Sequence, residues 1–361
     1  MILLLWYFSV PPFAAHPNIL TAIVSTPVQN QDVDCHLKSG LAPGRTRAED
    51  YRLFSAAVLR VAETYYYDGR LEEAQRLLHS ALAMTLEMGG TFNEERSKLL
   101  LKRGKLLAFT AILTDSGYAE ALEALEEAEK IAEGPGVMVV RADALAYMGV
   151  AHLARVRNSG DNDYHTAADY FRKSLQMRLE LGDCRGVAEA WNYLGLITLR
   201  GGKEAEARSF FRKSEKLAQT EGLDIERSYA VRNLGLIERK RGNLEEALSQ
   251  LQASLDLRET AQFTIGLPSA YLSVGQVYFA KGEIDRSLEY FEKAYANALK
   301  LGIKRLVLAC LLPIGDVYRS RGETEVALHY YGQVRDLARE IGFEGAAGLA
   351  EARMSHVPTE E

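Results

Sequence analysis

The sequence predicts an all-α fold, a right-handed α–α superhelix of about seven stacked helix-turn-helix repeats. Three observations predict it. Gly195, Gly235, Gly275 and Gly315 recur with a step of 40 residues. Gly202, Gly242, Gly282 and Gly322 follow at the same step, seven residues behind the first series. Between these markers apolar residues return at spacings of three and four, as in Trp191, Leu194, Ile197 and Thr198, which is the period of a helix and not of a strand.

Composition agrees with a soluble chain and narrows its use. Of 361 residues 47% are apolar and 25% charged, ample material for burial. The net charge of −6 argues against a general nucleic-acid or membrane-surface binder, so neither is expected as a partner. Cys35, Cys184 and Cys310 are scattered and show no CxxC spacing, which speaks against a disulfide framework or a zinc site. A reducing cytoplasm is the expected compartment.

Taken in order, the chain opens on MILLLWYFSV, too short to cross a bilayer as a helix. Secretion is the alternative reading, with Ala14–Ala15 as a cleavage site, but no Lys or Arg precedes the apolar run. Residues 1–50 are therefore expected to form a poorly ordered leader. Three weaker repeats follow, at Leu59–Met88, Leu99–Ala132 and Leu145–Leu181. The third carries an insertion, Asn158 to Asp163, expected to lengthen its inter-helix turn. Four clear units start at Ala188, Ser228, Pro268 and Leu308. In each, the first glycine sits in mid-helix, where it costs roughly 1 kcal/mol against Ala. A repeated cost implies a repeated reason, the close approach of the second helix. The second glycine ends the first helix and permits a left-handed turn. Ala207 with Phe211, Ala247 with Leu251, Ser287 with Phe291 and Ala327 with Tyr331 are expected to face the first helix. Pro313 predicts a bend or an early end in the last unit. Residues 344–361, with Gly345 and Gly348, read as a short capping helix and a tail, so the solenoid spans 51–343.

These units resemble the tetratricopeptide repeat. The match lies in the aromatic at position four (Trp191, Tyr271), Leu-Gly at seven and eight (Leu194–Gly195, Leu234–Gly235), and Tyr at eleven (Tyr278, Tyr318). It extends to Gly at fifteen, Ala at twenty and an aromatic at twenty-four. The period of 40 departs from the usual length of about 34. It is similar to that of MalT-like regulators, peptide-pheromone receptors and LGN/Pins scaffolds. The resemblance implies a non-catalytic interaction surface. Its alternative is a sensor that responds to a small effector or peptide. The family's chaperone clamp places Lys at five and Asn at nine; here those slots hold Asn192 and Leu196, or Arg232 and Leu236.

In such a solenoid the first helices line a concave groove. The candidate binding residues are Asn192, Arg200, Tyr229, Arg232, Arg239 and Lys240, then Gln276, Phe279, Asp316 and Arg319. The middle of the groove is basic, and guanidinium groups suit carboxylates, so the expected partner is a protein or peptide, an acidic segment above all. No catalytic residue, metal ligand or cofactor is assigned. Gly201-Gly202-Lys203 lacks the glycine spacing and hydroxyl of a phosphate loop. Asp161-Asn162-Asp163 is too short for a calcium loop. The seven histidines form no metal-binding pair.

Overall fold

A computed structural model describes residues 46–87, 92–114, 117–134, 136–159 and 163–356. Residues 1–45 of the leader expected at 1–50, the centre of the insertion and the tail beyond His356 lie outside the described residues. Fifteen α-helices follow one another: α1 (Arg47–Asp68), α2 (Leu71–Glu87), α3 (Asn93–Thr114), α4 (Tyr118–Ile131), α5 (Val137–Ser159), α6 (His165–Leu181), α7 (Cys184–Arg200) and α8 (Glu204–Thr220). Then come α9 (Asp224–Arg241), α10 (Leu244–Thr260), α11 (Leu267–Ala280), α12 (Ile284–Leu301), α13 (Lys304–Ser320), α14 (Thr324–Glu340) and α15 (Glu344–Met354). A 3-10 turn, Thr264–Gly266, precedes α11. No strand occurs among the described residues. Successive helices pair into seven hairpins, each stacked on the next, and α15 covers the last.

The period of 40 is a property of the element starts: 184, 224, 304 and 344 for first helices and the cap, with the 3-10 turn before α11 starting at 264, and 204, 244, 284 and 324 for the second helices. The helices thus begin four residues ahead of the aligned sequence units. Both glycine series do what their positions demand. A Cβ on Gly195, Gly275 or Gly315 would lie 2.6–2.7 Å from the ring of Phe211, Phe291 or Tyr331. Gly202, Gly242, Gly282 and Gly322 adopt φ between 78° and 83°. A third left-handed series closes the second helices at Gly182, Gly222, Gly302 and Gly342. Its remaining position is Gln262, at φ 51°.

Three expectations need correction. The solenoid starts at Arg47, not at 51. Thr46 caps α1 by accepting from Glu49 N, and Glu49 accepts in return from Thr46 N at 2.7 Å. This capping box was present in the sequence as Thr-x-x-Glu. Asn158 and Ser159 continue α5 and are not part of a turn, while Asp163 accepts from His165 N at the start of α6. The helix α13 runs through Pro313 to Ser320. Ile314, Gly315 and Val317 are buried beyond it, so packing on both sides holds the helix despite a lost hydrogen bond. The first helices of the upstream repeats have 22, 22 and 23 residues against 17 and 18 in α7 and α9. That extra length explains why the upstream copies match the 40-residue template poorly.

Residues Val137–Val156 of α5 are apolar and long enough to cross a membrane, but most of that stretch is buried. Here α3, α4 and α6 cover it.

Gln262→Gly is expected to raise stability by about 0.5–1 kcal/mol. A left-handed L-residue costs roughly 1–2 kcal/mol, offset in part by the extra chain entropy of glycine, about 0.4–1 kcal/mol. Gly275→Ala should cost about 1–2 kcal/mol. The clash with Phe291 outweighs the roughly 1 kcal/mol gain in helix propensity. Urea titration with unchanged slope checks both.

Candidate functional site

The first helices do line a concave face, but the superhelix is wound tightly enough to shut part of it. α1 reaches the 3-10 turn some five hairpins later. Tyr67 meets Phe263 edge-on, with ring centroids 5.7 Å apart, and Phe263 meets Tyr229 at 6.0 Å. Behind this contact lies a cavity of about 220 Å³. Its walls come from α1, α3, α5, α7 and α9, the end of α10, the 3-10 turn and Ser269 of α11.

Four candidate residues line the cavity: Asn192, Arg200, Tyr229 and Arg232. Six do not. Lys240 and Arg319 are exposed, and Arg239 is half-buried on α9 outside the cavity. Gln276 is buried and Phe279 packs against the core. Asp316 accepts from Tyr331 Oη and Arg353 Nε, both at 2.8 Å, and so fastens α15 to the stack. Gln276, Phe279, Asp316 and Arg319 lie on α11 and α13, farther along the stack than the cavity, and Arg239 and Lys240 lie at the end of α9, beyond its lining residues, while α1 and α3 enter the wall from the other end. Leu236, read as facing the groove, is instead a core residue.

The lining also holds residues that sequence reasoning passed over: Tyr66 and Tyr67 of α1, Lys105 of α3, Arg258 of α10 and Phe263. Arg258 left a trace. Its column in the repeat holds Ala218, Ala298 and Ala338, so a long cation in a small-residue position was visible.

The cavity is aromatic and charged at once. Burial raises the hydroxyl pKa of Tyr66, Tyr193 and Tyr229 above its ordinary value and keeps these groups neutral. On the α1–α3 side, charges are matched. Glu63 pairs with Lys102 and lies 3.7 Å from Lys105. Burial would raise its carboxyl, but the two lysines hold it down to about 2 from 4.5. Glu189 stands 4.0 Å from Arg178, and burial raises its pKa in spite of Arg178 and Lys105. Glu226 pairs with Arg185 at 3.6 Å. On the α9–α10 side, burial, and then the nearby Arg258, pull Arg232 down to about 9. Burial lowers Arg258 as well. Asn192 is engaged, donating to Ser214 Oγ at 3.0 Å and to Glu226 O at 3.3 Å.

Among the described residues no group of three or more His, Cys, Asp or Glu is placed to hold a metal ion. Four cations and two carboxylates line the cavity, with no Ser, His or Cys activated as a nucleophile.

A superhelix of paired helices with a lined concave cavity is a helical-hairpin repeat solenoid. Its units are tetratricopeptide repeats. Tetratricopeptide repeat profiles match residues 266–340, and also 159–221 and 232–298. Tetratricopeptide repeat protein 29 of Macaca fascicularis is 26% identical over 172 residues, 45% of this chain and 35% of that protein. The human protein of the same name is 25% identical over the same shares. The chain thus spans about a third of the length of these curated relatives. Among solved structures, a Rap protein complexed with competence and sporulation factor superposes with a TM-score of 0.62 at 13% identity, over 82% of this chain and 80% of that one. NprR in complex with its cognate peptide NprX gives 0.56 at 15% identity, over 86% of each. At these identities the likeness is one of fold. Folds of this kind serve in general as non-catalytic interaction scaffolds.

The matched charges of the α1–α3 wall should show in acid. The folded pKa of Glu63 lies below its unfolded value, so the stabilisation is complete above about pH 4.5 and is lost as pH falls towards about 2. Glu63→Gln should cost about 2–3 kcal/mol at pH 7, allowing for partial exposure. It should also flatten the stability profile between pH 4.5 and 2. Urea unfolding across that range tests it, and an unchanged profile would refute the assignment.

Proposed function

We propose that this chain is a non-catalytic recognition module that holds a peptide segment of a partner protein in the concave cavity. The observation that carries this reading is the cavity's lining. Flat aromatic faces alternate with buried cations, and consecutive repeats supply them. Ligand sites are commonly concave and apolar, with a few convergent polar groups. Asn192, Arg200, Tyr229 and Arg232 are the contact residues in this reading. At about 220 Å³ the cavity is smaller than a usual drug-sized site. It suits one or two side chains of a peptide, with the rest of the segment running along the open concave face past α9 and α11. Arg239, Gln276 and Phe279 lie in that direction along the stack. NprR, which shares the fold, is complexed with a peptide.

One observation favours the sensor as a second reading. Tyr67 and Phe263, residues almost 200 positions apart, meet in the cavity wall. A ligand that parts them changes the spacing of the first and sixth hairpins, and with it the pitch of the whole superhelix. A scaffold keeps its pitch.

Two measurements separate these outcomes. Arg232→Glu, checked for folding by circular dichroism, is expected to lower recovery of a captured partner at least about tenfold. Unchanged recovery removes the cavity from recognition. Small-angle scattering with and without that partner's binding segment then decides between readings. An altered radius of gyration supports the sensor, and identical dimensions leave the scaffold.

A further inference from the structure

The repeat contains its own comparison for Arg258. Residues 178 and 258 occupy one column of the second helices, 80 positions apart, and both are arginine. Both are almost fully buried, at 3% and 1% exposure. Both donate Nε to a buried serine, Arg178 to Ser174 Oγ at 2.9 Å and Arg258 to Ser228 Oγ at 3.1 Å. Their surroundings differ in charge. Arg178 is met by Asp143 and Asp183, each at 2.8 Å, and by Glu189 at 4.0 Å. Counting from the mid-helix glycines, the residues in the same places around Arg258 are Tyr229, Phe263 and Ser269. The geometry agrees with the count. The Arg258 guanidinium lies 4.8 Å from the Tyr229 ring centroid, and its Nη1 donates to Ser269 Oγ at 2.8 Å. Three carboxylates around one arginine thus become none around the other.

Arg258 has one further group to satisfy. Its Nη1 also donates to Gly266 O at 2.7 Å, but its Nη2 is buried without an acceptor. Arg232 stands beside it and donates Nε to Ser273 Oγ at 3.1 Å. Ser269 and Ser273 are one helical turn apart, a rise of about 6 Å, so the two guanidinium groups sit side by side on α11. Both line the cavity. Arg258 is a buried charge with no carboxylate beside it, which is expensive, and its buried donor without an acceptor adds to the cost. The buried amide oxygens of two lining residues, Asn192 Oδ1 and Asn233 Oδ1, lack a donor in turn.

We propose that the cavity seats a single carboxylate against Arg258 and Arg232, with an adjoining N–H of the ligand facing Asn192 or Asn233 and an apolar side chain between the aromatic walls. This rests on the cavity being a recognition site and names what it recognises. The depressed Arg232 agrees with it, since an anion would restore the charge that burial opposes. One carboxylate fits better than an acidic run, because Glu189 and Glu226 share the lining and would repel a second. An N-acyl amino acid has this chemistry, and so has the last residue of a peptide.

Isothermal titration calorimetry on the full chain tests it. The probes are N-acetyl-phenylalanine, N-acetyl-tyrosine and N-acetyl-leucine, their primary amides, and heptapeptides ending in the same residues with free or amidated C-termini. For at least one side chain the acid is expected to bind about tenfold more tightly than its amide, one charge-assisted pair's worth. The ratio should fall below about threefold in Arg232→Met and Arg258→Gln, and persist in Lys300→Met on the exposed face of α12. Arg258 also holds the 3-10 turn, so if Arg258→Gln does not fold, Arg232→Met decides alone. Preference in the heptapeptides only identifies a peptide terminus, and preference in the N-acetyl acids identifies a small effector. Amidated peptides that bind as well as free ones would overturn the carboxylate seat and leave the recognition reading standing. No binding by any probe would overturn both. An acid preference that survives in the folded arginine variants would also overturn the seat.

Discussion

The structure depends on the close approach of two helices within each hairpin. Where Phe211, Phe291 or Tyr331 lies on the facing helix, the partner position has room for hydrogen and nothing more. The aromatic edge takes the space that a Cβ would fill, and the hairpin closes around it. This contact sets the distance and angle between the two helices. It recurs in the hairpins from α3–α4 to α13–α14, so these present similar flanks to one another and stack in series. Where the pair is Gly235 and Leu251, the ring is replaced by a branched chain at 2.8 Å and the geometry is kept. Close packing of this kind tolerates a swap of shape at fixed volume better than an added methyl group.

A second, polar contact joins one hairpin's helices at their far ends. Ser174, Ser214 and Ser254 donate to Ala142 O, Ala188 O and Ser228 O at 2.7–2.8 Å. All three serines are fully buried. In the last two hairpins the same column holds Ala294 and Val334, with no such bond. Three of the hairpins that wall the cavity carry this bond; the α1–α2 and α3–α4 hairpins, which also wall it, hold Ala81 and Ala128 in the same column. The buried arginines lie one turn further along these same second helices, where an alanine otherwise suffices. The last two hairpins are closed at this column by apolar packing, and the Asp316–Arg353 pair fastens α15 over them.

What was legible in the sequence was what repeats. The period, both glycine series, the bulky partners of the mid-helix glycines and the capping helix at 344 could all be read because each is a local pattern seen several times. The start of α1 was legible too, in the Thr46–Glu49 capping box, but its single occurrence was overlooked within a stretch rich in Pro, Ser and Gly. Four of ten groove residues line the cavity, and the reason is geometric. Position within a helix determines which face a residue occupies. It does not determine how far the superhelix has turned by the time that face is reached. The meeting of Tyr67 with Phe263 depends on the accumulated rotation of five hairpins, three of which have first helices longer than the template. No spacing in the chain encodes that sum.

Departures from the repeat carry the information that the repeat itself cannot. Gln262 stands where Gly182, Gly222, Gly302 and Gly342 close the other turns of this series, and Arg258 where three others have alanine. Both fall within five residues, where α1 meets the 3-10 turn. A left-handed glutamine costs the fold stability, and an arginine without a carboxylate costs it more. Both costs fall beside the cavity, which Phe263 and Arg258 line. A stack of identical hairpins would be more stable and would have no cavity chemistry. The irregular turn between α10 and α11 is where this chain departs from its repeat, at the wall of the cavity.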